Sequence, residues 1–128
     1  MRYISRDELL EMLDFVKRQT EFIINTTGNV KNSDDFLTSQ TGIILYNSTC
    51  MCLQTIGETI RKIDELTDKK LLSGYPQIPW RHIIGLRNII SHEYASTDPE
   101  KIYYTVKYDL KDFLPVISTI ISDTSKLP

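Results

Sequence analysis

Apolar residues recur along this chain with a helical period almost throughout. The first stripe, at alternating spacings of four and three residues, is Leu9, Leu13, Val16, Thr20 and Ile23. It follows Ser5-x-x-Glu8, a capping box in which a hydroxyl and a carboxylate satisfy free amides of the first turn. The segment from Asn25 to Asn32, which contains asparagine and glycine, predicts the end of this first helix.

A second helical region begins at Ser33 with Asp34 and Asp35. Its long stripe is Leu45, Thr49, Cys52, Ile56, Ile60 and Ile63. The stripe predicts a helix from about residue 38 to about residue 67, which would span roughly 40 Å at 1.5 Å per residue. Whether this helix breaks near Thr41-Gly42 is left open. The next segment, residues 68–79, contains one glycine and two prolines and is predicted to be a loop.

Two further helices complete the pattern. The third begins around Pro79-Trp80, because proline suits a first helical turn, and runs to about Ser91 or His92. The last begins at Asp98-Pro99-Glu100, where an N-cap carboxylate, a proline and an acid stand in the expected order. Its stripe is Ile102, Val106, Leu110, Phe113, Ile117 and Ile120. Pro115 predicts a kink or a split in this helix, since it removes the hydrogen bond to the carbonyl of Lys111.

Four amphipathic helices joined by short loops predict an all-α, up-and-down bundle. The length of 128 residues suits one domain with one core, so we assign residues 1–128 to a single helical domain. Gly57 and Gly85 fall inside predicted helices, where each costs about 1 kcal/mol relative to alanine. We interpret both as points where two helices approach closely.

Composition and charge narrow the range of functions. No apolar run approaches the roughly 20 residues that a membrane span needs, and the amphipathic N-terminus lacks the apolar segment of a signal peptide. We therefore expect a cytoplasmic protein without a membrane partner. The two cysteines, Cys50 and Cys52, would point about 200° apart on a helix, so buried thiols are favoured over metal or redox use.

The net charge of −2 creates no general attraction for nucleic acid. A surface that binds RNA would have to be built locally, from the basic residues Arg61, Lys62, Lys69, Lys70, Arg81 and Arg87. An ordinary solvated surface of mixed charge is the alternative, and composition alone favours it.

The stretch IIGLRNIISHEY, residues 83 to 94, places polar groups at the end of an otherwise apolar helix. Arg87 and Tyr94 are seven residues apart, so an intact helix stacks them on one face. Arg87 and His92 are five apart, about 140° around the helix axis. These two would converge only if the helix frays near Ser91, if Arg87 curls around the helix, or if a second copy of the chain supplies one of them.

The chemistry of this pair suits a phosphodiester. A guanidinium grips phosphate through two hydrogen bonds, and an imidazole can take a proton from a ribose 2′-hydroxyl or return one to the leaving oxygen. Neither step needs a metal, and His82 and His92 stand too far apart, without paired carboxylates, to indicate one. On spacing alone, an ordinary role for Arg87 and His92 at the helix end, with Tyr94 as a packing residue, is favoured over catalysis.

The same residues carry a family resemblance. Arg87, His92 and Tyr94 form the pattern Arg-x4-His-x-Tyr, which resembles the motif of HepT-like toxins in the HEPN superfamily. Other landmarks agree in order and spacing: IGET at Ile56–Thr59, IPW at Ile78–Trp80, and the start of the last helix at Asp98-Pro99. The resemblance covers about residues 5 to 120.

This resemblance implies a helical bundle that dimerises through the motif region. It further implies a metal-independent endoribonuclease with no cofactor, acting as the toxin of a type VII-like toxin–antitoxin pair. The partner would be a minimal nucleotidyltransferase antitoxin that silences the toxin by adenylylating the motif tyrosine.

By the same resemblance, Arg87 would hold the scissile phosphate of RNA, His92 would move the proton and Tyr94 would accept the adenylate. Asn88 and Glu58 would support the site, although Glu58 could equally be an ordinary acid on the helix surface. Two alternatives stay open: a non-catalytic module that binds nucleotide or substrate beside a nucleotidyltransferase, and a purely structural dimerisation bundle.

Overall fold

The computed structural model describes residues 4–93 and 97–127 and, for residues 89–93, the backbone alone. The regular structure of these residues is helical, with no strand among them. The helices are α1 (Arg6–Thr26), α2 (Gln40–Leu66), α3 (Trp80–Glu93), α4 (Pro99–Tyr104) and α5 (Leu110–Ser125). A π-helical turn, Thr105–Asp109, joins α4 to α5, and short 3-10 turns occur at Ser33–Phe36 and Leu72–Gly74. The predicted all-α bundle is confirmed.

Helix α1 begins and ends where its sequence predicts. The hydroxyl of Ser5 accepts a hydrogen bond from the amide of Glu8 at 3.1 Å, which satisfies one free donor of the first turn. All five residues of the predicted stripe are buried. After Thr26 the helix stops, and the hydroxyl of Thr27 donates to the carbonyl of Ile23 at 2.7 Å.

Helix α2 is continuous, so the break left open at Thr41-Gly42 does not occur. Ser39 caps its N-terminus, with the hydroxyl accepting from the amide of Gly42 at 2.9 Å. A Cβ on Gly42 would collide with the backbone carbonyl oxygen of Asp35. The glycine is therefore needed because the preceding 3-10 turn lies directly against the first turn of α2.

The prediction that Pro115 splits the last helix is wrong, because α5 runs through it without interruption. Phe113 and Ile117, two residues to either side, are fully buried and hold both neighbouring turns against the core. Pro115 and Lys111 are exposed, so the carbonyl deprived of its donor lies on the solvent side, where water can satisfy it. The α-helical pattern changes earlier instead, at the π turn.

The core lies between the inner faces of these helices. Helix α2 packs against α3 and α1, and α1 packs against α5. Trp80 fixes the start of α3, because its indole donates to the carbonyl of Tyr75 at 2.9 Å and its ring meets Phe113 edge-on at 5.9 Å. None of the helices in the described parts of the chain is long and apolar enough to cross a lipid bilayer.

Both cysteines are thiols within the bundle, as predicted. Cys50 is buried and Cys52 is half-buried, and neither forms a disulfide. Burial raises the pKa of the Cys50 thiol to about 11, so it remains protonated and unreactive at neutral pH.

Candidate functional site

Helices α2 and α3 meet backbone to backbone at Gly57. A Cβ at this position would lie 2.9 Å from the carbonyl oxygen of Ile83 and 3.0 Å from the amide nitrogen of Arg87. Such distances are too short for a side-chain carbon, so only glycine permits this approach. The close contact predicted for Gly57 is confirmed, whereas at Gly85 it is wrong, because no atom of the described residues lies within 4 Å of an added Cβ.

Glu58, the next residue on α2, joins two arginines. The Nη1 atom of Arg87 donates to Oε2 of Glu58 at 2.9 Å, and Nη2 of Arg61 donates to Oε1 of Glu58 at 2.9 Å. Arg61 also donates through Nη1 to Oε2 of Glu65 at 2.8 Å. Each oxygen of the Glu58 carboxylate therefore serves a different guanidinium, and Arg87 of α3 is tied to α2.

This cluster is polar but only partly open to water. The side chains of Arg87, Glu58 and Arg61 are 33%, 34% and 33% exposed. Hydrogen bonds from Arg61 and then from Arg87 are the main causes that lower the pKa of Glu58 to about 2. Glu58 is therefore an anion at any physiological pH, and the Arg87 side chain beside it remains partly accessible to solvent.

Sequence reasoning named Arg61 only as one of several basic residues and missed its contact with Glu58. The signal was available, because Glu58, Arg61 and Glu65 follow one another at spacings of three and four, which place side chains side by side on a helix. The basic residues Lys62, Lys69, Lys70 and Arg81 are exposed.

The remaining motif residues can be placed only in part. Asn88 is exposed and follows Arg87 on α3. The backbone of His92 belongs to α3, which stays helical to Glu93, so fraying near Ser91 does not bring His92 towards Arg87. The side chain of His92 and the whole of Tyr94 lie outside the described residues.

An exposed apolar stripe leads along α2 to this cluster. Ile44 and Met51 are each 68% exposed, and Ile44, Met51 and Glu58 follow one another at intervals of seven residues. Residues at this spacing lie on one side of a helix, so the stripe ends at the Glu58 carboxylate. Leu37 and Ile43, 49% and 46% exposed, add to the apolar surface at its far end.

Comparison with known proteins finds one matching family and several similar proteins, all of them described as ribonucleases or putative ribonucleases. The family described as "Ribonuclease HepT-like" matches residues 9–120. The chain is 31% identical over 101 residues to "Putative RNase MJ1216" of Methanocaldococcus jannaschii, covering 79% of this chain and 77% of that protein. It is 21% identical over 109 residues to "Putative RNase TTE0752" of Caldanaerobacter subterraneus subsp. tengcongensis, covering 85% and 90%. No solved structure shows significant similarity to the chain.

Proposed function

The chain belongs to the HepT-like ribonuclease family, and from this premise we propose that it is a metal-independent endoribonuclease toxin that cleaves RNA at Arg87 and His92. The observation that carries the proposal is the placement of Arg87. Its guanidinium is fixed on α2 by Glu58 and remains one third exposed, beside the segment that carries the rest of the motif.

The reaction follows from the chemistry of the two side chains. The imidazole of His92 takes the proton of a ribose 2′-hydroxyl, and the resulting oxygen attacks the adjacent phosphorus. The bond from phosphorus to the 5′-oxygen of the next nucleotide breaks, and the imidazolium of His92 returns the proton to that oxygen. Arg87 holds the phosphate and neutralises the charge that develops on its oxygens. The products are a 2′,3′-cyclic phosphate and a 5′-hydroxyl.

A second copy of the chain completes the site in this proposal. Position 92 lies about 140° around α3 from position 87, and Glu58 draws Arg87 towards α2. A homodimer that pairs the two motif regions would bring His92 of one chain to Arg87 of the other. The apolar stripe of α2 that ends at Glu58 supports this arrangement, because large exposed aliphatic side chains commonly mark an interface.

Regulation would act through Tyr94. We propose that a minimal nucleotidyltransferase antitoxin transfers adenylate to the Tyr94 hydroxyl, with pyrophosphate leaving from ATP. The modification adds a phosphate charge and a bulky base two residues from His92. RNA phosphate would then meet like charge and steric obstruction in the same cleft. The intact mass of protein expressed with and without such a partner tests this step.

Cleavage of RNA in the presence of EDTA tests the main proposal. Adenylate-free wild-type protein should cleave, whereas Arg87→Ala and His92→Ala should each lose at least about 100-fold in rate, the scale typical of a lost acid–base or electrostatic group. Arg18→Ala is the matched control and should cleave like wild type, because Arg18 is an exposed arginine of α1 that pairs with Asp14 on its own helix. Intact RNA after incubation with adenylate-free wild-type protein would overturn the proposal, and nucleotide binding without turnover would favour the non-catalytic alternative.

A further inference from the structure

Two neighbouring tyrosines on the last helical stretch are left uncovered. Tyr104 and Tyr108 are 58% and 54% exposed, their ring centroids lie 4.7 Å apart, and their planes are inclined by 38°. A tyrosine ring commonly buries its apolar body and leaves only the hydroxyl wet. Here two rings form a joint aromatic surface that faces solvent.

The backbone fixes this pair in place. The π turn Thr105–Asp109 encloses Tyr108 and begins directly after Tyr104. Two residues of the turn, Thr105 and Val106, are buried, as is Leu110 directly after it, and they anchor its inner side to the core. Single π turns of this kind are frequent at functional sites.

Lysines are interleaved with the tyrosines along the segment KIYYTVKYDLK, residues 101–111. Lys101 and Lys111 are exposed, three residues before Tyr104 and three after Tyr108. The one acid within the segment, Asp109, is turned towards His82, with 3.7 Å between its carboxylate and the imidazole. The tyrosine pair therefore lies between positive charges, although the exposed acids Glu100 and Asp112 stand at the two ends of the segment.

Lys107, between the two tyrosines in sequence, is fixed rather than mobile. Its ammonium donates to the carbonyl of Thr27, just beyond the end of α1, at 2.6 Å. This contact directs a third positive charge of the same segment to the carbonyl of Thr27 at the end of α1.

The composition of this surface favours one occupant. A second copy of the chain would set the same lysines against each other, and the aliphatic stripe of α2 offers self-association a surface without such repulsion. Aromatic rings flanked by cations instead match a single nucleic acid strand, whose bases stack on the rings while its phosphates meet the ammonium groups.

We propose that Tyr104 and Tyr108 form a stacking subsite for unpaired bases of the RNA substrate. This inference rests on the proposed ribonuclease function and adds its substrate class, which is single-stranded RNA or the unpaired loops of folded RNA. Duplex RNA would use this subsite poorly, because its bases are already stacked on one another.

Binding of a 2′-O-methyl oligonucleotide tests the subsite without relying on catalysis, since this RNA lacks the 2′-hydroxyl that cleavage needs. The Kd of the variant Tyr104→Ala/Tyr108→Ala should rise about tenfold or more, in line with the loss of base–aromatic stacking. Tyr104→Phe/Tyr108→Phe keeps both rings and should bind within about twofold of wild type. Phe22→Ala, which removes a 49% exposed ring from α1, is the matched control and should leave the Kd unchanged.

An oligonucleotide of abasic residues supplies the complementary test. It should bind the alanine variant and wild type equally, because no base remains to stack. An equal Kd for wild type and the alanine variant on the base-containing strand would overturn the inference. So would a variant that binds RNA normally and instead loses self-association or binding to a protein partner. Cleavage by the alanine variant at the wild-type rate with unchanged Kd would sink only this subsite, whereas absence of cleavage by wild type would sink the proposed function.

Discussion

At the scale of single residues, the position of Arg87 depends on a carboxylate far away in sequence. Glu58 lies 29 residues before it and receives one hydrogen bond from Arg87 and another from Arg61. With one oxygen engaged by Arg61, the carboxylate presents the other to Arg87 in a fixed direction. Glu58 thus orients the arginine but also competes with the phosphate that the arginine is proposed to hold.

Replacing Glu58 by glutamine should separate these two effects. Glu58→Gln keeps the shape of the side chain but removes its charge, so Arg87 becomes less well oriented while one anion beside the phosphate site disappears. We expect the single-turnover rate of RNA cleavage to fall roughly 10- to 100-fold, as small misplacements of a catalytic group commonly do. The Kd for a non-cleavable oligonucleotide should stay equal or decrease.

Glu65→Gln is the matched control for this experiment. Glu65 receives a hydrogen bond from Arg61 at the outer end of the same cluster and is 69% exposed, so its variant should cleave and bind like wild type. A Glu58→Gln protein that cleaves at the wild-type rate would show that the carboxylate does not position Arg87.

The stability of the fold at acid pH tests whether the ionised Glu58 carboxylate contributes to it. The two arginines lower the pKa of Glu58 from 4.5 to about 2 in the folded protein. A depressed carboxyl pKa stabilises the fold above the unfolded value, and that stabilisation is lost as the pH falls through the folded value. Wild type should therefore melt at a higher temperature than Glu58→Gln near pH 7. Thermal unfolding measured over a range of pH should show that this difference in melting temperature shrinks between about pH 4.5 and pH 2. A difference that stays constant would contradict the low pKa of Glu58.

Part of the cluster around Glu58 could be predicted from the sequence alone. Arg87, Asn88 and Glu58 stood out because of their motif and family landmarks, and Arg61 could have been found from its helical spacing to Glu58. The pairing of Glu58 with Arg87 could not be derived, since it joins two helices. It depends on the distance between their backbones, which no periodicity encodes.

At the scale of helices, that distance is set by Gly57. The helical stripes themselves were predictable, because burial on one face imposes a period that can be read from apolar residues. Two predictions were wrong, the close helix contact at Gly85 and the split of the last helix at Pro115, and they share a cause. Whether a glycine marks a contact, or a proline interrupts a helix, depends on what faces that residue. A Cβ at Gly85 would meet no described atom within 4 Å, and Pro115 is exposed.

Gly57→Ala should disturb the helix contact and the site together. The new Cβ would press on the backbone of Ile83 and Arg87, and such overpacking costs about 1–3 kcal/mol. Improved helix propensity would recover about 1 kcal/mol. We expect a net loss of up to about 2 kcal/mol in the free energy of unfolding, measured with urea, together with reduced cleavage as Arg87 moves.

Gly85→Ala is the matched control, because in the part of the chain that the structure describes no atom lies within 4 Å of the new Cβ. It should increase the free energy of unfolding by about 1 kcal/mol through helix propensity alone. Equal stability of the two variants would mean that α2 and α3 can separate at Gly57 without cost, and that the close approach does not hold Arg87 in place.

At the scale of the whole molecule, the question is whether one chain holds a complete site. The Arg87 side chain is directed to α2, and position 92 lies about 140° away around α3. The apolar stripe on α2 is exposed to solvent. If the site is shared between chains, the Arg87→Ala and His92→Ala proteins should complement each other. Random mixing gives half heterodimers, each with one intact site of two, so activity should return to about a quarter of wild type.

The mixing experiment distinguishes a shared site from a site within one chain, because neither variant is expected to cleave RNA on its own. An Arg87→Ala chain still supplies His92, and a His92→Ala chain still supplies Arg87, so recovery requires that both enter one cleft from different chains. Adding Ile44→Glu to both proteins should abolish the recovery, because a carboxylate at the apolar end of the α2 stripe opposes its burial against a partner. Size-exclusion chromatography with light scattering should then report a monomer. If heterodimers form and the mixture stays inactive, Arg87 and His92 act within one chain, and the site is not shared between two.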